Sequence, residues 1–169
     1  IVNCTNSVTG AVNVMKDATL SGEGSIAGAV CVDAGATIQA GDFEKGANGA
    51  KLSLKSSLTV KSCGIVNVLL EGTSNNVIAS DAVTLEDGAV IQMGDADVPM
   101  TFVDGEVFKV FSSGVTLGGT VKMIPEKPGE GQVWDLTSLS TEGIVKVATA
   151  TGVGNISMQE IPAKVEYYD

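Results

Sequence analysis

The feature that most restricts the fold of this chain is a ten-residue segment that occurs twice. Asp33-Ala34-Gly35-Ala36-Thr37-Ile38-Gln39-Ala40-Gly41-Asp42 returns as Glu86-Asp87-Gly88-Ala89-Val90-Ile91-Gln92-Met93-Gly94-Asp95, with six of the ten positions identical and a shared charge at Asp33 and Glu86. Val30-Cys31-Val32 lies upstream of the first copy and Val83-Thr84-Leu85 upstream of the second. A weaker copy reads Val12-Asn13-Val14, then Ala18-Thr19-Leu20 and Gly22-Glu23; another reads Leu58-Thr59-Val60, then Gly64-Ile65-Val66-Asn67-Val68. The copies start at Val12, Val30, Leu58 and Val83, at intervals of 18, 28 and 25 residues. A further 25 leads to Phe108-Lys109-Val110, with Val115-Thr116-Leu117 behind it. Each copy joins a short apolar-x-apolar strand to a second one through a corner rich in Gly and Asp, the alternation of a strand with one buried face. A single unit cannot bury that face, whereas stacked units bury a continuous one.

The expectation is an all-β solenoid, a single-stranded parallel β-helix whose coils start near Val12, Val30, Leu58, Val83 and Phe108. Jelly rolls and immunoglobulin-like sandwiches also have short strands and regular turns, but they do not predict near-copies of one corner. No segment sustains a capped 3.6-residue apolar period, so little helix is expected. Composition agrees: 44% of the 169 residues are apolar and only 4% aromatic, which suits thin layers of Val, Leu, Ile and Ala. A chain of this length forms one domain, residues 1–169, and buries roughly 70% of the surface it exposes unfolded. Pro125-Glu126-Lys127-Pro128-Gly129-Glu130-Gly131 has loop composition and reads as a bend, 125–131, inside that domain.

Charge narrows the partners. All ten basic residues are Lys, there is no His, and the net charge is −10. The cationic patch that nucleic-acid binding needs is missing, and an acidic surface disfavours anionic lipid. No stretch reaches the ~20 apolar residues of a spanning helix, so no membrane insertion is expected within this chain. Cys4, Cys31 and Cys63 form an odd set without CxxC spacing, which argues against zinc. They read either as one disulfide and a free thiol or as three buried, reduced side chains.

The copies resemble the autotransporter-associated β-strand repeat of bacterial autotransporter passengers and related surface proteins. The resemblance is carried by Gly35 to Asp42, by Ser80-Asp81 with the strand Ala82 to Leu85 and Gly88, and by Gly105 to Phe111 leading to Gly118-Gly119. Trp134-Asp135-Leu136-Thr137-Ser138-Leu139, running into Gly143-Ile144-Val145-Lys146-Val147, is similar to the terminal signature of that family. The resemblance spans roughly residues 10 to 150 and implies a right-handed β-helix displayed by a Gram-negative bacterium, secreted or on its outer surface, as a stalk or adhesin. No membrane barrel follows here. Lys164-Val165-Glu166-Tyr167-Tyr168-Asp169 instead resembles the entry of a Bacteroidetes secretion sorting domain, or is an ordinary last strand. The native protein is expected to extend beyond both ends of the chain.

Candidate sites are few. Without His, triads of the Ser-His-Asp or Cys-His kind cannot be assembled, and without Arg the base and clamp of many β-helical lyases are missing. Asp42 and Asp95 hold equivalent corner positions, with Asp97 close by; a carboxylate pair of this kind is what glycoside hydrolysis requires. Corner carboxylates also serve as solvated turn residues that hold the local backbone, the reading preferred here. Asp95-Ala96-Asp97 offers oxygen to Ca²⁺ but lacks the spacing of a calcium-binding nonapeptide repeat, so no metal or other cofactor is expected. Trp134 either stacks on a sugar or covers the end of the core. Asn3-Cys4-Thr5 and Asn155-Ile156-Ser157 fit the N-glycosylation triplet by chance and carry no weight. The function expected is non-enzymatic, a structural or adhesin-like module with glycan or host protein as partner. The alternative is a β-helical carbohydrate-active enzyme, hydrolase or lyase, using paired carboxylates.

Overall fold

The structure, a computed structural model, describes residues 8–42, 49–71, 74–95 and 97–151. These residues form an all-β fold dominated by three parallel sheets, which the chain visits repeatedly in the same order. The first sheet stacks Val12–Val14, Val30–Val32, Ser57–Val60, Ala82–Leu85 and Thr116–Leu117. The second stacks Thr19–Leu20, Thr37–Gln39, Ile65–Val68, Val90–Met93 and Lys122–Ile124. The third stacks Ser25–Ile26, Lys51–Leu54 and Val77–Ala79, and a parallel bridge from Ile78 to Phe111 extends it.

Register follows the sequence repeat. Val12 pairs with Val30, Val30 with Leu58 and Leu58 with Val83, so the first four expected starts lie on one ladder. The fifth does not. Phe108 lies in Val107–Lys109, which pairs antiparallel with Ile144–Thr149, and the fifth rung is Thr116–Leu117. Thr84 and its partner Thr116 are 32 residues apart, so a 25-residue step lands inside an insertion.

The corner between the first and second sheets explains why the repeat was conspicuous. From Val14 to Leu20, Val32 to Ile38, Val60 to Val66, Leu85 to Ile91 and Leu117 to Met123 the chain always advances six residues. Four of these corners close with the same four-residue turn, Ala18, Ala36, Gly64 and Ala89 each donating to the carbonyl three residues back at 2.8–3.0 Å. In each of them the third residue is left-handed, as in a type II turn, a position that Gly fills without strain. The occupants are Asp17, Gly35, Cys63 and Gly88, with φ of 66°, 73°, 60° and 80°. They also bond one another: Asp17 donates to Gly35, Gly35 to Cys63, Cys63 to Gly88 and Gly88 to Thr120, at 2.8–3.0 Å.

Inside the three sheets lies the core. Val14, Val32, Val60 and Leu85 form one inward column and Ile38, Val66 and Ile91 another, all buried. The same contiguous core reaches Phe111, Leu139, Val145 and Val147, which belong to the C-terminal part of the chain. There Ile144–Thr149 sits between Val107–Lys109 and Gln132–Asp135 in an antiparallel sheet, preceded by the one short helix described, Leu139–Glu142. Residues 125–131 contain neither strand nor helix. Cys31 is half-buried and Cys63 is exposed, and both are free thiols, which corrects the reading of every cysteine as buried. Cys4, both glycosylation triplets and the tail from Lys164 to Asp169 lie outside the described residues.

Candidate functional site

All large insertions leave the stack at one corner, between the second and third sheets. The path from Leu20 to Gly24 takes four residues, but from Ile38 to Leu52 it takes fourteen, from Val66 to Ile78 twelve, and from Ile91 to Phe111 twenty. A length change here leaves both flanking ladders in register, since neither strand has to shift. The corner also needs its own support. Asn76, only 3% exposed, accepts from the Ala50 N–H at 2.7 Å and donates to the Ala40 carbonyl at 2.9 Å, tying its own layer to the previous one. Gly41, at φ 81°, gives it room, because a Cβ there would collide with Asn76 Nδ2.

The carboxylates singled out from the sequence lie on this corner. Gln39 and Gln92 both pair with Asn67, so Asp42 and Asp95, each three residues further on, occupy equivalent positions in alternate layers. At ~4.8 Å per layer their backbones are separated by roughly 10 Å. Leu70 holds the corresponding place between them, so they form no continuous acidic edge. Asp95 Oδ1 accepts the Asp97 N–H at 3.0 Å, the local turn contact expected of a corner carboxylate. Among the described residues no three His, Cys, Asp or Glu side chains gather as metal ligands would.

Trp134 is half-buried where the stack meets the antiparallel sheet. Phe102 and Phe108 meet its ring edge to face, with centroids 4.9 and 6.5 Å away, and its indole N–H donates to the Pro125 carbonyl at 2.8 Å. The ring borders a cleft of about 590 Å³ between Lys122–Ile124 and Gln132–Asp135. Val121, Met123 and Leu136 give the cleft an apolar floor, and Lys122, Glu126 and Lys127 line it with charge. A smaller cleft of about 290 Å³, bordered by Asp95, shares Ile124 and Lys127 with it. The structure therefore places Asp95 and Trp134 on two clefts that share Ile124 and Lys127, and leaves Asp42 two layers from Asp95.

The apolar cleft was not legible from sequence, because its second wall, Gln132–Asp135, belongs to the antiparallel sheet and has no copy in the repeat. Pro125 and Pro128 flanking Lys127 beside a lone Trp were the available signal. A further groove of about 350 Å³ on the third sheet, lined by Lys51, Lys55, Ser80 and Asp81, carried none. Ser80 is buried there with its hydroxyl donating to the Ser56 carbonyl at 3.1 Å, which makes it a corner staple.

Below the cleft, Asp135 fixes the turn into the helix. Its Oδ1 accepts from the Thr137 hydroxyl at 2.6 Å and from the Thr137 N–H at 2.9 Å. These two bonds, with the Lys146 charge behind them, hold its carboxyl below the ordinary value of 3.8. At the corner between the first and second sheets Lys61 Nζ meets Asp33 Oδ1 at 2.7 Å, both at the first position of stacked turns. That bond and charge, helped by Cys31 and Glu86, raise the Lys61 pKa above 10.5. The described residues include no helix long and apolar enough to cross a membrane. No family model, curated protein or solved structure matches the chain.

Proposed function

We propose that the chain is a right-handed parallel β-helix that works as a non-enzymatic display module of a secreted or cell-surface bacterial protein. The observation that carries this reading is the confinement of large insertions to one corner of an in-register stack. Parallel strands one layer apart make a stiff rod, and loops on one of its edges vary freely while the rod stays the same. Recognition surfaces are commonly built this way, from loops on a rigid scaffold. The resemblance to autotransporter passenger repeats supports the location and the handedness, and the handedness is also that of nearly all parallel crossovers. The partner is a glycan or a protein met along the insertion corner, where Asp95 and Trp134 border two clefts that share Ile124 and Lys127.

Incubation of the purified chain with a panel of host glycans and plant polysaccharides tests the reading. Retention on one or more ligands without release of reducing ends or unsaturated sugars is the expected result. Reproducible cleavage that Asp95→Asn abolishes would instead establish the carbohydrate-active alternative, with Asp42 and Asp95 as its first candidates.

A further inference from the structure

The cleft beside Trp134 borders the free edge of a sheet. Four consecutive residues, Val121 to Ile124, line it. Successive side chains of a strand point to opposite faces, so a space touched by all four wraps the strand's free edge, and Val90, which pairs with Lys122 on the neighbouring strand, shows that it also reaches over one face. The facing wall has the same character, since neighbouring Val133 and Trp134 both line it. Each wall is also the last strand of its sheet: Lys122–Ile124 ends the second sheet and Gln132–Asp135 ends the antiparallel one. Among the described residues, no strand pairs with either outer edge.

The hydrogen-bonding polarity of the first wall can be assigned. Lys122 N–H donates back into the stack, to the Ala89 carbonyl at 2.8 Å. In a parallel ladder alternate residues turn their amides to alternate neighbours, so the Met123 N–H and C=O point outward from the free edge that the cleft borders. Two facing backbone edges are satisfied by the backbone of another extended chain, the mode called strand addition. The size agrees. A strand residue occupies about 3.3 Å along the chain, ~4.8 Å across the sheet and ~10 Å through it, roughly 160 Å³. The cleft volume of about 590 Å³ thus holds between three and four residues.

From these edges we infer that the cleft is a docking slot for an extended peptide of a protein partner, apolar in its middle and acidic at its flanks. The middle meets Val121, Met123, Trp134 and Leu136, and the flanks meet Lys122 and Lys127. Those two lysines face a single Glu126, a local positive excess on a chain that carries twenty acidic residues against ten basic ones. The inference names a partner class for the display reading but rests only on the two strand edges. A failed peptide titration therefore leaves the glycan arm of that reading intact, and a passive rod still takes the peptide.

The test is a fluorescence titration with the labelled peptide Glu-Val-Thr-Val-Glu, beside Lys-Val-Thr-Val-Lys and a Glu-Val-Thr-Val-Glu in which both Val nitrogens are methylated. The acidic peptide is expected to bind saturably, at least tenfold tighter than either control. Charge reversal at two exposed positions, Lys122→Glu with Lys127→Glu, should invert the preference between the acidic and basic peptides. Backbone exchange by NMR gives a second readout: the Met123 amide should exchange freely in the monomer and at least tenfold more slowly with peptide bound. Equal binding of the methylated peptide, or no saturable binding of any peptide, overturns the inference. So does a Met123 amide already protected without peptide, which would assign the slot to this chain itself or, if protection rises with protein concentration, to a second copy.

Discussion

At the scale of single residues, the turns between the first and second sheets are set by backbone conformation. Cys63 holds at φ 60° a left-handed shape that Gly35 and Gly88 adopt without a side chain. Gly88→Ala should lower stability by about 1–2 kcal/mol in urea denaturation, since it forces a Cβ into that region and toward Ser62 Oγ, 2.8 Å away. Cys63→Gly removes the same strain while loosening the unfolded chain, so its effect should stay within about 0.5 kcal/mol of zero. Asn76→Ala strips the buried Ala50 N–H and Ala40 carbonyl of their partner and should cost about 2–4 kcal/mol. Asp135 gives a pH signature. Its carboxyl titrates lower folded than unfolded, so its contribution is present above pH 3.8 and is lost as pH falls through the folded value beneath it. Thermal midpoints should therefore drop more steeply below pH 3.8 for the native chain than for Asp135→Asn; the group is well solvated, so the difference stays below about 1 kcal/mol.

Elements differ in how far they can change length. The corner from the first to the second sheet is six residues in every layer, and each turn there bonds the next. Two extra residues inside Asp33 to Ala36 would break that ladder and should lower the urea midpoint far more than the same residues placed after Asp104, within an insertion that already runs twenty residues from Ile91 to Phe111. The same contrast explains what could be read from sequence. Constant corners recur as near-copies, which made Val12, Val30, Leu58 and Val83 legible as one ladder and Asp42 and Asp95 as equivalent positions. Variable corners break the period, so the step to Phe108 fell into an insertion whose Val107–Lys109 strand runs antiparallel to Ile144–Thr149. The antiparallel sheet itself had no copy to betray it. Its Val107–Lys109 strand pairs with Ile144–Thr149 across 35 or more residues, and a pattern of local alternation does not say which distant strand is the partner.

At the scale of the described residues together, the proposed stack depends on every first-sheet strand lying parallel to, and in register with, the next. Asn13, Cys31, Thr59, Thr84 and Thr116 form one outward-facing column across all five strands of that sheet. Any two of them should be separated by the number of intervening steps multiplied by ~4.8 Å. Spin labels read this directly. In a background where Cys4, Cys31 and Cys63 are replaced by Ser, labels paired at Asn13 and Thr84 span three steps, and labels at Asn13 and Thr116 span four. Backbone separations of about 14 and 19 Å follow, so pulsed electron-spin measurements should find both pairs within a narrow range and the second about 5 Å longer than the first. Equal distances, or a shorter one for Asn13 with Thr116, would contradict the parallel stack and point to a sandwich in which the fifth strand folds back.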